Sequence, residues 1–170
     1  MSTRWALLVL MATTVAFAPI NPETIMNAGP FLMRVAEEQQ AEITVSLLAA
    51  QRAENERVKD SSTHMLDEHM KTKMAVEQLA LHQHVVLHPG LNRDHEKQID
   101  ELSRLTGHDF DLAYMNHIVS GHDSTLSEWE RYAQTLPYPD LRQWIHDMLP
   151  VVNAHREKAR LLHAALRTHL

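Results

Sequence analysis

Thirteen histidines in a chain of 170 residues that contains no cysteine are the side chains best suited to chemistry. Neutral imidazole is a common transition-metal ligand and titrates near neutrality. The missing thiols exclude a disulfide framework, a thiolate metal site, a cysteine nucleophile and a lipid-modified cysteine anchor. Three of the histidines fall on apolar stripes of helical period. His69 follows Val58, Ser62 and Met65 and precedes Thr72, Val76 and Leu79; His122 stands among Phe110, Tyr114, Ile118, Thr125, Trp129 and Tyr132; His155 stands among Leu141, Ile145, Met148, Val152, Ala159, Leu162 and Leu166. Glu42 lies beside Val35, Val45 and Ala49 on a fourth stripe. Three imidazoles and one carboxylate form a ligand set suited to zinc, copper, iron or manganese, because nitrogen lone pairs and an anionic oxygen replace lost water. The plainer reading stands beside it: each imidazole is a core residue whose nitrogens find Thr72, Asp67, Glu68 or Tyr114.

Other groupings carry less. His84 and His88, four apart near His82, could chelate at the surface or complement a helix dipole, and His64 with Glu68 has the same spacing. Met65, Met70, Met74, Met115 and Met148 follow the helix stripes, which reads as core filling. A carboxylate-bridged di-iron centre needs Glu-x-x-His on two helices, and that pattern occurs nowhere in the chain. With four glycines there is also no phosphate-cradling loop, nucleotide fingerprint or Gly-x-Ser-x-Gly elbow.

The elements that must position these residues are helices. Length and a 44% apolar content fit one domain, and few glycines among many Ala, Leu, Met, Glu, Gln and Arg favour helix after residue 30. A first helix is expected from Phe31 to about Ala53, after a break at Asn27-Ala28-Gly29-Pro30, with Asn55 taking a left-handed, helix-ending conformation. A second helix runs from about Val58 to Pro89-Gly90, and a short amphipathic one spans Asn92 to Leu105. Gly107 is expected to end that short helix, with Thr106 or Asp109 capping the third long helix that follows; Pro137-Tyr138-Pro139 is the next turn; Pro150 bends the fourth without ending it. The expected fold is an all-α four-helix bundle over residues 30–168, with a short extra helix in the crossover between helices two and three. With turns near residues 55 and 137, Glu42, His69, His122 and His155 each lie about 20–27 Å from a turn at 1.5 Å per residue, so the four can share one level.

Met1–Arg4 is a short basic start, Trp5–Ala18 a continuous apolar run and Ala16-Phe17-Ala18 a small-x-small cleavage pattern, so residues 1–18 read as a signal peptide. Pro19 disfavours a cut after Ala18, and cleavage after Ala16 is the other option. Fourteen helical residues reach only about 21 Å, short of the roughly 30 Å needed to span a bilayer. Removing this segment takes the net charge from -6 to -7, with scattered basic residues, so neither nucleic acid nor a membrane surface is an expected partner.

Glu42, Met65 with Asp67-Glu68-His69, Phe110-Asp111-x-x-Tyr114 with His122 eight residues on, and Leu149-Pro150 with His155 occur together over residues 31–166. In this the chain resembles the ferritin-like domain-of-unknown-function family 4142 of exported bacterial proteins. The resemblance implies a ferritin-like bundle and export, with members described as periplasmic or outer-membrane proteins, the periplasm being expected here, and no reaction; the family commonly has Asp where Glu68 precedes His69 here. Three functions follow as expectations: a periplasmic metal-binding bundle using His69, His122, His155 and Glu42; a non-catalytic envelope or stress-related bundle without metal; and, by analogy of fold alone, a redox enzyme on a dinuclear site.

Overall fold

The structure is a computed structural model that describes residues 22–88 and 90–168. The expected signal peptide, residues 1–18, lies outside the described residues. Five helices follow one another: α1 (Pro22–Arg52), α2 (Glu56–His82), α3 (Arg93–Ser103), α4 (Gly107–Thr135) and α5 (Pro139–Arg167). Four are long, α3 is the short crossover helix, and no strand occurs among the described residues. Among these residues no helix is long and apolar enough to cross a membrane.

Local chemistry departs from expectation at three places. α1 begins at Pro22 and passes through Gly29-Pro30. Ala28 is buried in the same apolar cluster as Phe31, Leu32 and Val35, so core contact on one continuous stripe outweighs the roughly 3 kcal/mol that an interior proline costs a helix. Asn55 starts α2 rather than ending α1: its backbone is extended (φ -78, ψ 120) and its side chain accepts from the Arg57 N–H, the N-cap arrangement. α2 stops at His82, and His84 has a left-handed backbone (φ 55). His84 and His88 therefore share no helical face, and the expected surface pair lapses. Pro150 does not end its helix: it sits inside an unbroken α5.

α1 packs along α2 and α4 along α5; contacts of α1 with α4 and of α2 with α5 close the ring of four, and α3 lies against α1 and α4. The crossover is tied down by Asn92 N–H donating to Glu37 Oε1 at 2.9 Å and by Arg52 donating to the Ser103 carbonyl. α4 opens at Gly107, whose φ of +59 suits glycine. Thr106 is at the N-cap position but makes no side-chain cap bond. One turn into α4, buried Asp111 accepts from the Glu54 and Asn55 N–H groups at 3.2 and 2.7 Å. That contact puts the start of α4 beside the α1–α2 turn, so the α1–α2 and α4–α5 turns lie at opposite ends of the bundle. The site residues share a level because they are central: residue 69 is the midpoint of α2, and residues 122 and 155 lie within two of the midpoints of α4 and α5.

The apolar core is accordingly in two parts. One gathers Phe31, Leu32, Val35, Val76, Trp129, Leu141 and Ile145 toward the α4–α5 turn. The other gathers Val45, Ala49, Val58, Met65, Phe110, Tyr114, Ile118 and Leu162 toward the α1–α2 turn. Each such side chain fully removed from water contributes roughly 1.5–3 kcal/mol. Met65 and Met115 fill core as expected, whereas Met70 and Met74 are exposed, on the side of α2 away from its partners.

Candidate metal centre

Between the two apolar parts the interior is polar. His69 from α2, His122 from α4 and His155 from α5 are all buried there. Their ring centroids form a nearly equilateral triangle with sides of 5.7, 5.7 and 5.6 Å. One nitrogen from each lies within 4.8 Å of the others. Tetrahedral ligands at about 2.0–2.1 Å from an ion stand roughly 3.3 Å apart, so an ion would draw the rings together by about 1.5 Å at most.

Two of the rings have a defined tautomer. His122 Nδ1–H donates to the Ile118 carbonyl one turn earlier on its own helix, at 2.9 Å. His69 Nδ1–H donates to Gln39 Oε1 on α1 at 2.8 Å. Each bond leaves the lone pair on Nε2, and such outer bonds orient metal-binding imidazoles and raise their basicity. His69 Nε2 is closed to solvent and has no hydrogen-bond partner among the described residues. The neighbours that sequence suggested as partners are engaged elsewhere: Thr72 donates to the Glu68 carbonyl, Tyr114 pairs with Ser46, and Asp67 and Glu68 hold Lys71. Glu68 thus makes no contact of its own with the His69 ring.

Glu42 enters the same space from α1, with Oε2 at 3.9 Å from His69 Nε2. That oxygen, too, is buried without a partner. Burial with no cation beside it raises the carboxyl to about 8, and Glu38 adds to the shift. Burial also pushes His122 down to about 4, helped by His155, and lowers His69 well below the ordinary imidazole value, with further contributions from His122 and His155. His155 is lowered by burial and by nearby His64. Without a cation the layer therefore favours neutral imidazoles and an un-ionised Glu42, whose anionic form a bound cation would draw out. The layer lacks positive charge, which is the electrostatic condition a cation would relieve.

These groups line a cavity of about 300 Å³ that also reaches Gln39, His95, His117, Gly121 and Glu128. His117 and Gln39 belong to this layer and were not singled out from the sequence. His117 Nε2 stands 3.8 Å from Glu42 Oε1 and is buried without a partner. Gly121 on α4 faces the same carboxylate: a Cβ there would lie 3.4 Å from Glu42 Oε1, in van der Waals contact.

The arrangement offers three nitrogen donors and one anionic oxygen, each from a different helix, in a pocket large enough for an ion and a small ligand. The Met148 thioether lines the same cavity, and among the described residues no cysteine and no Glu-x-x-His pair adds to the set. The family description "Domain of unknown function (DUF4142)" matches residues 16–162. No curated protein and no solved structure matches the chain.

Proposed function

The chain belongs to the DUF4142 family, and we propose that it is an exported, periplasmic protein that binds a transition-metal ion in the middle of its bundle through His69, His122 and His155, with Glu42 as the anionic partner. The observation that carries this reading is the pair of orphaned atoms at the imidazole layer, His69 Nε2 and Glu42 Oε2, 3.9 Å apart and closed to solvent. A buried polar group without a partner costs about 1–3 kcal/mol, and a shared cation would satisfy both. The Gln39 and Ile118 bonds support the reading because they aim Nε2 lone pairs inward. Zinc, copper, iron and manganese all accept such donors; imidazole-rich sites favour copper and zinc over manganese. Export rests on the basic start, apolar run and small-residue pattern of residues 1–18. The function proposed is binding, with no reaction assigned.

A metal-free envelope bundle is the second reading, favoured by the bonds that already satisfy one nitrogen each of His69 and His122. Metal analysis of the full chain recovered from the periplasm separates the two. The expected result is about one tightly held ion per chain, lost in the His69→Ala/His122→Ala double variant. Adding the ion at about 100 times its Kd should stabilise the stripped wild type by about 2.7 kcal/mol. A chain recovered without metal, and unmoved in Tm by Mn(II), Fe(II), Cu(II) or Zn(II), would overturn the metal reading; failure to reach the periplasm would overturn export.

A further inference from the structure

The cavity continues past the three imidazoles toward the seam between α1 and α4, where a second pair of polar atoms remains. Glu42 turns its two oxygens in different directions: Oε2 toward His69 Nε2 at 3.9 Å, Oε1 toward His117 Nε2 at 3.8 Å. The second separation is too long for a hydrogen bond, which would bring the atoms to about 2.7–3.2 Å. It matches the roughly 3–4 Å between two donors that each sit about 2.0–2.2 Å from one ion. His117 Nε2 is buried and has no partner among the described residues.

We propose that His117 and Glu42 form a second, outer cation position, and that the Glu42 carboxylate is shared between it and the imidazole triad. This deepens the metal reading above and rests on it. Exposure of the side chains rises along the line, from 9% at His69 through 15% at Glu42 to 23% at His117, so the outer position lies between the triad and the cavity mouth. His95 on α3 lines the same part of the cavity and donates Nδ1–H to Glu37 at 3.0 Å, which leaves its own Nε2 lone pair available. With fewer nitrogen donors and more water, the outer position takes a divalent first-row cation more weakly than the triad does.

Titration of the stripped full chain with Zn(II), read by calorimetry and by equilibrium dialysis, tests this. Wild type should bind two ions, the second about tenfold or more weaker. His117→Ala and His117→Gln should each bind one, with the affinity of the tight ion little changed; the His117 side chain makes no hydrogen bond among the described residues, and a thermal melt checks that both variants remain folded. Glu42→Gln should weaken both ions by about 10- to 100-fold. One ion in wild type and in both His117 variants overturns the outer position and leaves the triad reading standing. No ion in any chain overturns the triad reading and this one with it. Loss of both ions from a folded His117 variant, or weakening of only one by Glu42→Gln, overturns the division into two positions that share a carboxylate.

Discussion

Phe110, Tyr114, Ile118 and Met65 near one end of the bundle and Phe31, Trp129, Leu141 and Ile145 near the other are apolar side chains closed to solvent. The layer between them, built on the same four helices, holds His69, His117 and Glu42, each with a buried polar atom that has no partner. The ends follow the ordinary rule for a stable interior apart from one orphaned polar atom in each, His108 Nε2 at the start of α4 and Tyr138 Oη at the α4–α5 turn. The middle breaks it on four helices at a single level. Stability and chemistry are thus separated along the long axis, and the excess of stability in the ends is what allows an unfavourable layer to persist.

That separation can be broken or sharpened by perturbing each region alone. The largest effect should come from an end: Phe110→Ala removes a fully buried ring and should lower stability by about 3–5 kcal/mol, measured by urea denaturation, while leaving ion affinity little changed. A comparable loss of ion binding in that variant would show that the regions are not separate.

Next is acidification of the ion-free chain. An imidazole at about 4 when folded and 6.5 when unfolded, as for His122, contributes stability that is complete above about pH 6.5 and is lost as pH falls through about 4. That amounts to roughly 3 kcal/mol at 1.36 kcal/mol per unit. His69, His155 and His117 act in the same direction. Glu42, raised to about 8 from 4.5, has the opposite sign: its contribution is complete below about pH 4.5 and lost as pH rises through about 8. Denaturation midpoints should therefore peak near pH 6.5 and fall on both sides. A flat profile from pH 4 to 8 would mean that the layer is wet.

Smaller still, Gln39→Leu should lower stability by about 1–3 kcal/mol by orphaning the buried His69 Nδ1–H and weaken the tight ion by about 10- to 100-fold, because the acceptor that fixes the His69 tautomer is gone. Calorimetry on that variant would expose a purely structural Gln39 by an unchanged Kd. The smallest effect belongs outside both regions: Met74→Lys, at a position 67% exposed, should shift stability by no more than about 0.5 kcal/mol and binding not at all.

The architecture was legible because periodicity is a property of each helix by itself. His69, His122 and His155 could be found from phase alone, since each interrupts an apolar stripe. Their common level was also anticipated, though for a reason the crossover changes: the two turns point to opposite ends, and the residues meet because each lies near the centre of its own helix. His117 was not legible, because it sits on the shoulder of the α4 stripe and acquires meaning only from Glu42 on another helix. Its one local signal was Gly121, a glycine in mid-helix with no capping role, which often marks a close approach. Gln39 was missed although Val35, Gln39, Glu42, Ser46 and Ala49 follow one another at steps of four and three. The early end of α2 and the role of Asn55 depend on single backbone torsions that apolar spacing does not encode.

The route of the chain also orders events in time. α1–α2 and α4–α5 are each contiguous hairpins that can form from local contacts, whereas the imidazole triangle takes one corner from the first hairpin and two from the second. It comes into being only when the hairpins dock, after the long connection has closed. If the triangle closes after the folding transition state, a bound ion should slow the opening of the bundle far more than it hastens its assembly. Such an ion would set how long the folded protein lasts.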